Sequence, residues 1–125
     1  MKKRILVVDD SEIVLEMARD ALEEGGFEVV TALNAREADK HIFCSDKPDV
    51  IILDVMLPVL DGDKKAKQLK DNELTRGIPV LLLSSKPEDE LSRLVQESGA
   101  DGFIRKPFAH GQLVEKIEKT LRDGR

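Results

Sequence analysis

Short apolar runs recur along the chain, and each stops at a polar residue capable of chemistry. Ile5-Leu6-Val7-Val8 ends at Asp9-Asp10, Val50-Ile51-Ile52-Leu53 at Asp54, Ile78-Pro79-Val80-Leu81-Leu82-Leu83 at Ser84, and Phe103-Ile104-Arg105 at Lys106-Pro107. Between these runs the apolar positions switch to helical spacing. Ile13, Val14, Met17, Ala18, Ala21 and Leu22 predict a first helix that Gly25-Gly26 stops, and Phe27 to Thr31 reads as a second strand. Asn34 and Glu37 resemble an N-cap and its partner for a helix reaching about Cys44, and Pro48 precedes the third strand. A third helix, from about Asp63 to Asp71, has only Ala66 and Leu69 as an inward face and is expected to be mostly exposed. Ser85 with Glu88 suggests a capping box, with Pro87 inside the first turn of a fourth helix whose buried stripe is Leu91, Leu94 and Val95. Gly99 to Asp101 leads to the fifth strand, and Leu113, Val114, Ile117 and Leu121 mark a closing helix.

Strands alternating with helices predict an α/β fold, a doubly wound parallel sheet of five strands sandwiched by five helices. Right-handed crossovers with one reversal after the second strand give the flavodoxin-like order 2-1-3-4-5, with strands one and three adjacent at the switch point. Ligands of such sheets bind outside the carboxyl ends of the strands, where Asp9, Asp10 and Asp54 are expected to converge. At 125 residues, 41% of them hydrophobic, the chain has the size of one ordinary domain with a packed core.

The net charge of −5 disfavours non-specific contact with nucleic acid or an anionic membrane. The run after Met1-Lys2-Lys3-Arg4 is too short for a signal peptide, so neither export nor a membrane span is expected. Cys44 has no partner for a disulfide and reads as a thiol in a reducing cytoplasm, while His41 and His110 lack neighbours that suggest a metal or catalytic pair.

Three carboxylates within about 5 Å of one another would repel by roughly 3 kcal/mol per pair at an effective dielectric of about 20. Partial protonation or a hard divalent cation such as Mg2+ relieves that repulsion. Lys106 adds a fixed positive charge and Ser84 a hydroxyl. The set suits phosphoryl transfer with a carboxylate nucleophile, where catalysis is positioning and charge neutralisation.

In order and spacing, Asp9-Asp10, Leu53-Asp54-Val55-Met56-Leu57-Pro58 with Asp61-Gly62, Leu83-Ser84-Ser85 and Phe103-Ile104-Arg105-Lys106-Pro107-Phe108 match one family's motifs. The chain resembles a response-regulator receiver domain of two-component signalling, of the chemotaxis-regulator type, from about Lys3 to Leu121. The resemblance implies that Asp54 accepts a phosphoryl group from a phosphohistidine of a sensor kinase or phosphotransfer protein. It also implies that Asp10 and Asp54 ligate Mg2+ directly, Asp9 through water and Met56 through its carbonyl, with Lys106 pairing to the phosphoryl oxygens. Ser84 and Phe103 would be switch residues that remodel the face of helix four, strand five and helix five for a downstream target. The Lys106-Pro107 peptide would be cis, and Met56 and Lys86 would flank the path of attacking water and give the aspartyl phosphate a long lifetime.

Ser84 stands where Thr is frequent and keeps the hydroxyl; Phe103 stands where Tyr is frequent and loses a phenolic donor. By the resemblance the protein is a signalling phosphoacceptor, an enzyme only toward its own phosphorylation and dephosphorylation. It would act in the cytoplasm, with no direct nucleic-acid or membrane contact. The expected organisation is one receiver domain over 1–125, standing alone or cut from a larger regulator.

Three other readings fit the residues less well. A magnesium-dependent phosphatase would want a second acid where Met56 stands, and a flavin binder would not place Asp-Asp at the first strand's end or lack Trp and Tyr. A degenerate receiver, acting as an unphosphorylated interaction module, conflicts with the complete acidic set.

Overall fold

The computed structural model describes residues 2–123. Five parallel strands, β1 (Arg4–Val8), β2 (Glu28–Ala32), β3 (Val50–Asp54), β4 (Val80–Ser84) and β5 (Gly102–Arg105), form one sheet in the order β2-β1-β3-β4-β5. Helices α1 (Glu12–Glu24), α2 (Ala35–Ile42), α3 (Gly62–Asp71), α4 (Glu88–Ser98) and α5 (His110–Asp123) alternate with them. The expected class, strand count and order hold. β3 and β4 are buried at every position because helices cover both of their faces, and this is why their sequences run apolar instead of alternating.

Strand alternation divides the core into two layers. Ile5, Val7, Val50, Ile52, Leu81 and Leu83 face a cluster with α1 and α5 residues such as Leu15, Leu22, Leu113 and Ile117. Leu6, Val8, Ile51, Leu53, Val80 and Leu82 face the other cluster, with Ala38 and Ile42 of α2, Ala66 and Leu69 of α3, and Leu91 of α4. The register aligns strand ends: Val8 lies beside Leu53 and Ala32, and Asp54 beside Leu83. The polar residues that follow therefore share one edge.

Local chemistry sets the element ends. Ser11 caps α1 by accepting from the Val14 N–H at 3.3 Å, and Asn34 caps α2 from Glu37 N–H at 2.8 Å. The Glu37 carboxylate accepts from Leu33 N–H, one residue before the cap.

Four local expectations are corrected. In α1 the buried stripe is Leu15, Ala18, Ala21 and Leu22, while Ile13 is 72% exposed, because Leu15 supplies a second apolar stripe rotated from the first. Helix α2 ends at Ile42, not Cys44, with Phe43 as its C-cap. Ser85 does not cap α4. Pro87 holds that position in extended geometry, and its carbonyl accepts the first helical bond from Leu91 N–H at 3.0 Å. Helix α3 is more buried than its lysines suggest: Lys65 is only 5% exposed, and its ammonium is bonded to Asp39 of α2, which ties the two helices. Among the described residues no helix is long and apolar enough to cross a membrane.

Candidate functional site

Asp9 directly follows β1 and is fully buried, its N–H donating to the Ala32 carbonyl at 3.1 Å. Its Oδ1 accepts from the Ser11 N–H at 2.9 Å, an Asx-type turn that bends the chain toward α1. Its Oδ2 has no hydrogen-bond donor, although the Lys106 ammonium lies 2.8 Å away. We read that approach as a charge contact off the hydrogen-bond direction, which leaves a buried lone pair open. Asp54 ends β3 at 5% exposure, and its Oδ1 accepts from the Met56 N–H at 3.3 Å and lies 3.5 Å from Lys106 Nζ. Asp10 is exposed at the rim. One oxygen from each of Asp9, Asp10 and Asp54 falls within 4.8 Å of the others.

Lys106 follows β5, and its N–H donates to the Ser84 carbonyl at 2.9 Å, so the β4 and β5 ends are hydrogen-bonded where the lysine leaves the sheet. The Lys106-Pro107 peptide is cis. Ser84 is buried at the end of β4 and its hydroxyl accepts from Lys86 N–H at 3.0 Å. Met56 is 67% exposed. Lys86 is turned back to Glu90 at 2.9 Å, one helical turn on. Phe103 lies half-buried on β5 beside Leu82 and packs on the α4 side of the sheet.

The electrostatics follow from this crowding. Burial, and then the charge of Asp9, push the Asp54 carboxyl up to about 6 against the opposing pull of Lys106 and the Met56 N–H. Burial alone would lower Lys106, but its contacts with Asp9 and Asp54 outweigh that and hold its pKa above the ordinary lysine value. Hard oxygen donors, an open buried lone pair and a carboxyl raised by its neighbours fit a small divalent cation such as Mg2+.

The sequence motifs thus meet at one sheet edge, with Phe103 standing apart on the α4 side. A groove of about 680 Å3 lies elsewhere, running along β5 and α5 past Phe103, Arg105, Gln112 and Lys116 and including Lys106 of the site. Two contributions were missed. Arg105 Nε donates to the Lys86 carbonyl at 3.0 Å and braces the turn after Ser84, but nothing in the sequence distinguishes it from a solvated charge. Gly62 donates to the Val55 carbonyl at 2.9 Å and packs on the Asp54 backbone, a role for which the Asp61-Gly62 pair was the available signal.

Comparison with known proteins agrees with this geometry. The family described as "Response regulator receiver domain" matches residues 5–118. The alkaline phosphatase synthesis transcriptional regulatory protein PhoP of Bacillus subtilis is 41% identical over 122 residues, covering 98% of this chain and 50% of that protein. The phosphate regulon transcriptional regulatory protein PhoB of Pseudomonas aeruginosa is 41% identical over 120 residues, 96% of this chain and 52% of its own length. The chain thus spans about half the length of these relatives. The solved chemotaxis protein CheY4 of Vibrio cholerae superposes with a TM-score of 0.87 at 30% identity, covering 95% of this chain and 98% of its own. With its acids, hydroxyl and lysine at one end of a 2-1-3-4-5 sheet and the match spanning nearly the whole chain, the protein belongs to the response-regulator receiver family of two-component systems.

Proposed function

We propose that Asp54 is a phosphoacceptor charged by a phosphohistidine on a sensor histidine kinase or a phosphotransfer protein. The observation that carries this reading is the meeting of three carboxylates within 4.8 Å beside an ammonium 2.8 Å from Asp9 and 3.5 Å from Asp54. A carboxylate oxygen of Asp54 attacks phosphorus, the P–N bond breaks, and its electron pair returns to the imidazole nitrogen. Asp9, Asp10, Asp54 and the Met56 carbonyl would hold Mg2+, which supplies charge neutralisation for the transferring group. Lys106 pairs with the phosphoryl oxygens, and the buried Ser84 hydroxyl donates to one of them. No separate substrate is turned over; the chain catalyses only its own phosphorylation and dephosphorylation.

Consequences of phosphorylation run through Ser84 and Phe103 to the face of α4, β5 and α5. The turn after Ser84 is hydrogen-bonded to β5 through Arg105 and Lys106, so movement of Ser84 toward a phosphoryl group is felt by that face. The 680 Å3 groove along β5 and α5 gives a target protein or effector domain a place to dock. The relatives' names, transcriptional regulatory proteins, favour an effector that reads DNA, with this chain making no nucleic-acid contact itself and working in the cytoplasm. Incubation with Mg2+ and a small phosphodonor, read by intact mass, tests the reading. One phosphoryl adduct, lost when a chelator is present, supports it; an unmodified chain under both conditions favours an unphosphorylated interaction module.

A further inference from the structure

Two grooves of opposite charge adjoin at the β2–α2 corner, away from the face of α4, β5 and α5. One, of about 430 Å3, lies between α2 and the β3–α3 turn; its lining includes Val59 and Leu60 and the charged residues Arg36, Lys65 and Asp39, which leave a net charge of one positive. The other, of about 390 Å3, lies between α1 and the end of β2 and is lined by Glu12, Glu16, Arg19, Leu33 and Glu37. Arg36 and Glu37 are successive residues of α2, so the helix sends one charge into each groove.

Which of these charges are free decides what fits. Lys65 in the first groove is engaged with Asp39, leaving Arg36 exposed with no ion pair among the described residues. Arg19 in the second is held by Glu23, the Val29 carbonyl and Thr31, leaving Glu12 and Glu16 exposed and likewise unpaired. The rim of the first groove also carries Val59, fully exposed and in the left-handed region at φ 67°. A β-branched residue there costs on the order of 1–2 kcal/mol in backbone strain. Val59 thus offers an apolar side chain at the rim beside Leu60 of the same groove.

We propose that this corner is a self-complementary docking surface for a second copy of the chain, related by a two-fold axis. Charge complementarity selects the occupant: a positive groove beside a negative one is what an isologous contact requires, since Arg36 of each copy then meets Glu12 and Glu16 of the other. Val59 of each copy packs toward the partner's Leu33. The net charge of −5 repels two copies in any orientation, so the local sign pattern at this corner has to outweigh it, most easily where Arg36 faces Glu12 and Glu16. The inference stands independently of the phosphoacceptor reading.

Sedimentation velocity of the whole chain tests it. A concentration-dependent dimer is expected at about 20 mM salt and weakens at about 0.5 M. Arg36→Glu or Glu16→Lys should each raise the dimer Kd about tenfold or more, and the double variant should restore it to near the original value. Both positions are exposed, and matching thermal melts confirm folding. A monomer at every concentration up to about 1 mM in low salt overturns the proposal. So does dimerisation indifferent to Arg36→Glu, or a double variant that stays monomeric, which would leave the basic groove for some other acidic partner.

Discussion

Gly62 sits so close to Asp54 that a Cβ added to it would fall within 2.7 Å of the Asp54 carbonyl carbon and closer still to its oxygen. The first turn of α3 therefore rests on the backbone of the central acid itself. Gly62→Ala must displace either the helix or the strand end, at a cost of about 1–3 kcal/mol. Urea denaturation should show that loss, and beryllofluoride, a phosphoryl mimic, should bind more weakly. Unchanged stability with unchanged binding would mean that the turn relaxes freely and does not set the site.

Lys65 and Asp39 give a second prediction, about stability alone. The lysine side chain is 6% exposed and its partner 44%, so the cation bears most of the desolvation. Asp39→Ala strands a buried ammonium and should destabilise the fold by about 3 kcal/mol, whereas Lys65→Met, which fills the same space without charge, should cost under about 1 kcal/mol. Equal losses in the two variants would show that the pair contributes as an attraction instead.

The acidic site predicts a pH dependence. Asp54 has a folded pKa of about 6 against an ordinary 3.8, so its ionisation opposes folding. The favourable contribution of the protonated form is complete below pH 3.8 and is lost as pH rises to about 6. Asp54→Asn removes this penalty. Without divalent ion the variant should be more stable than the parent at pH 7 by on the order of 2 kcal/mol, with the gap closing toward pH 4. Thermal melts of both proteins across that range check it, and a gap that widens on acidification contradicts the sign. Adding Mg2+ at pH 7 should stabilise the parent more than the variant.

Much of this arrangement was legible because strand ends are simple to read. Apolar runs stop where the chain leaves the sheet, so Asp9, Asp54, Ser84 and Lys106 announce their shared edge once the strands are taken as parallel. Helix faces were harder. In α1, Ile13 and Met17 form as regular a stripe as Leu15, Ala18 and Leu22, and periodicity does not reveal which one meets the sheet. The burial of Lys65 had no local signal, since the Asp39 that makes it tolerable lies 26 residues earlier. Ser85 looked like a cap, but Pro87 takes the extended conformation that starts α4.

The lifetime of the phosphorylated form is the fourth prediction. Met56, 67% exposed and two residues after Asp54, carries an apolar side chain that the resemblance sets beside the path of attacking water, and Lys86, bonded to Glu90, offers only donors. Neither activates water. Replacing Met56 with Asn and Lys86 with Glu should hasten spontaneous phosphate loss several-fold, on the order of 1 kcal/mol in barrier. A time course at constant Mg2+ in which the double variant decays no faster than the parent removes this account of the lifetime while leaving the acceptor assignment intact.

On the proposed function, Asp54 alone among the three neighbouring acids takes the phosphoryl group. Its carboxylate ends the central strand beside both Lys106 and the Met56 N–H, whereas Asp9 is fully buried and Asp10 lies at the rim. Reduction of the phosphorylated chain with borohydride converts an aspartyl phosphate into homoserine, and peptide mass mapping then reads the modified position. The expected result is homoserine at position 54 alone and no adduct on Asp54→Asn under the same conditions. Homoserine at Asp9 or Asp10 in the parent chain, or a full adduct on the Asn variant, would contradict it.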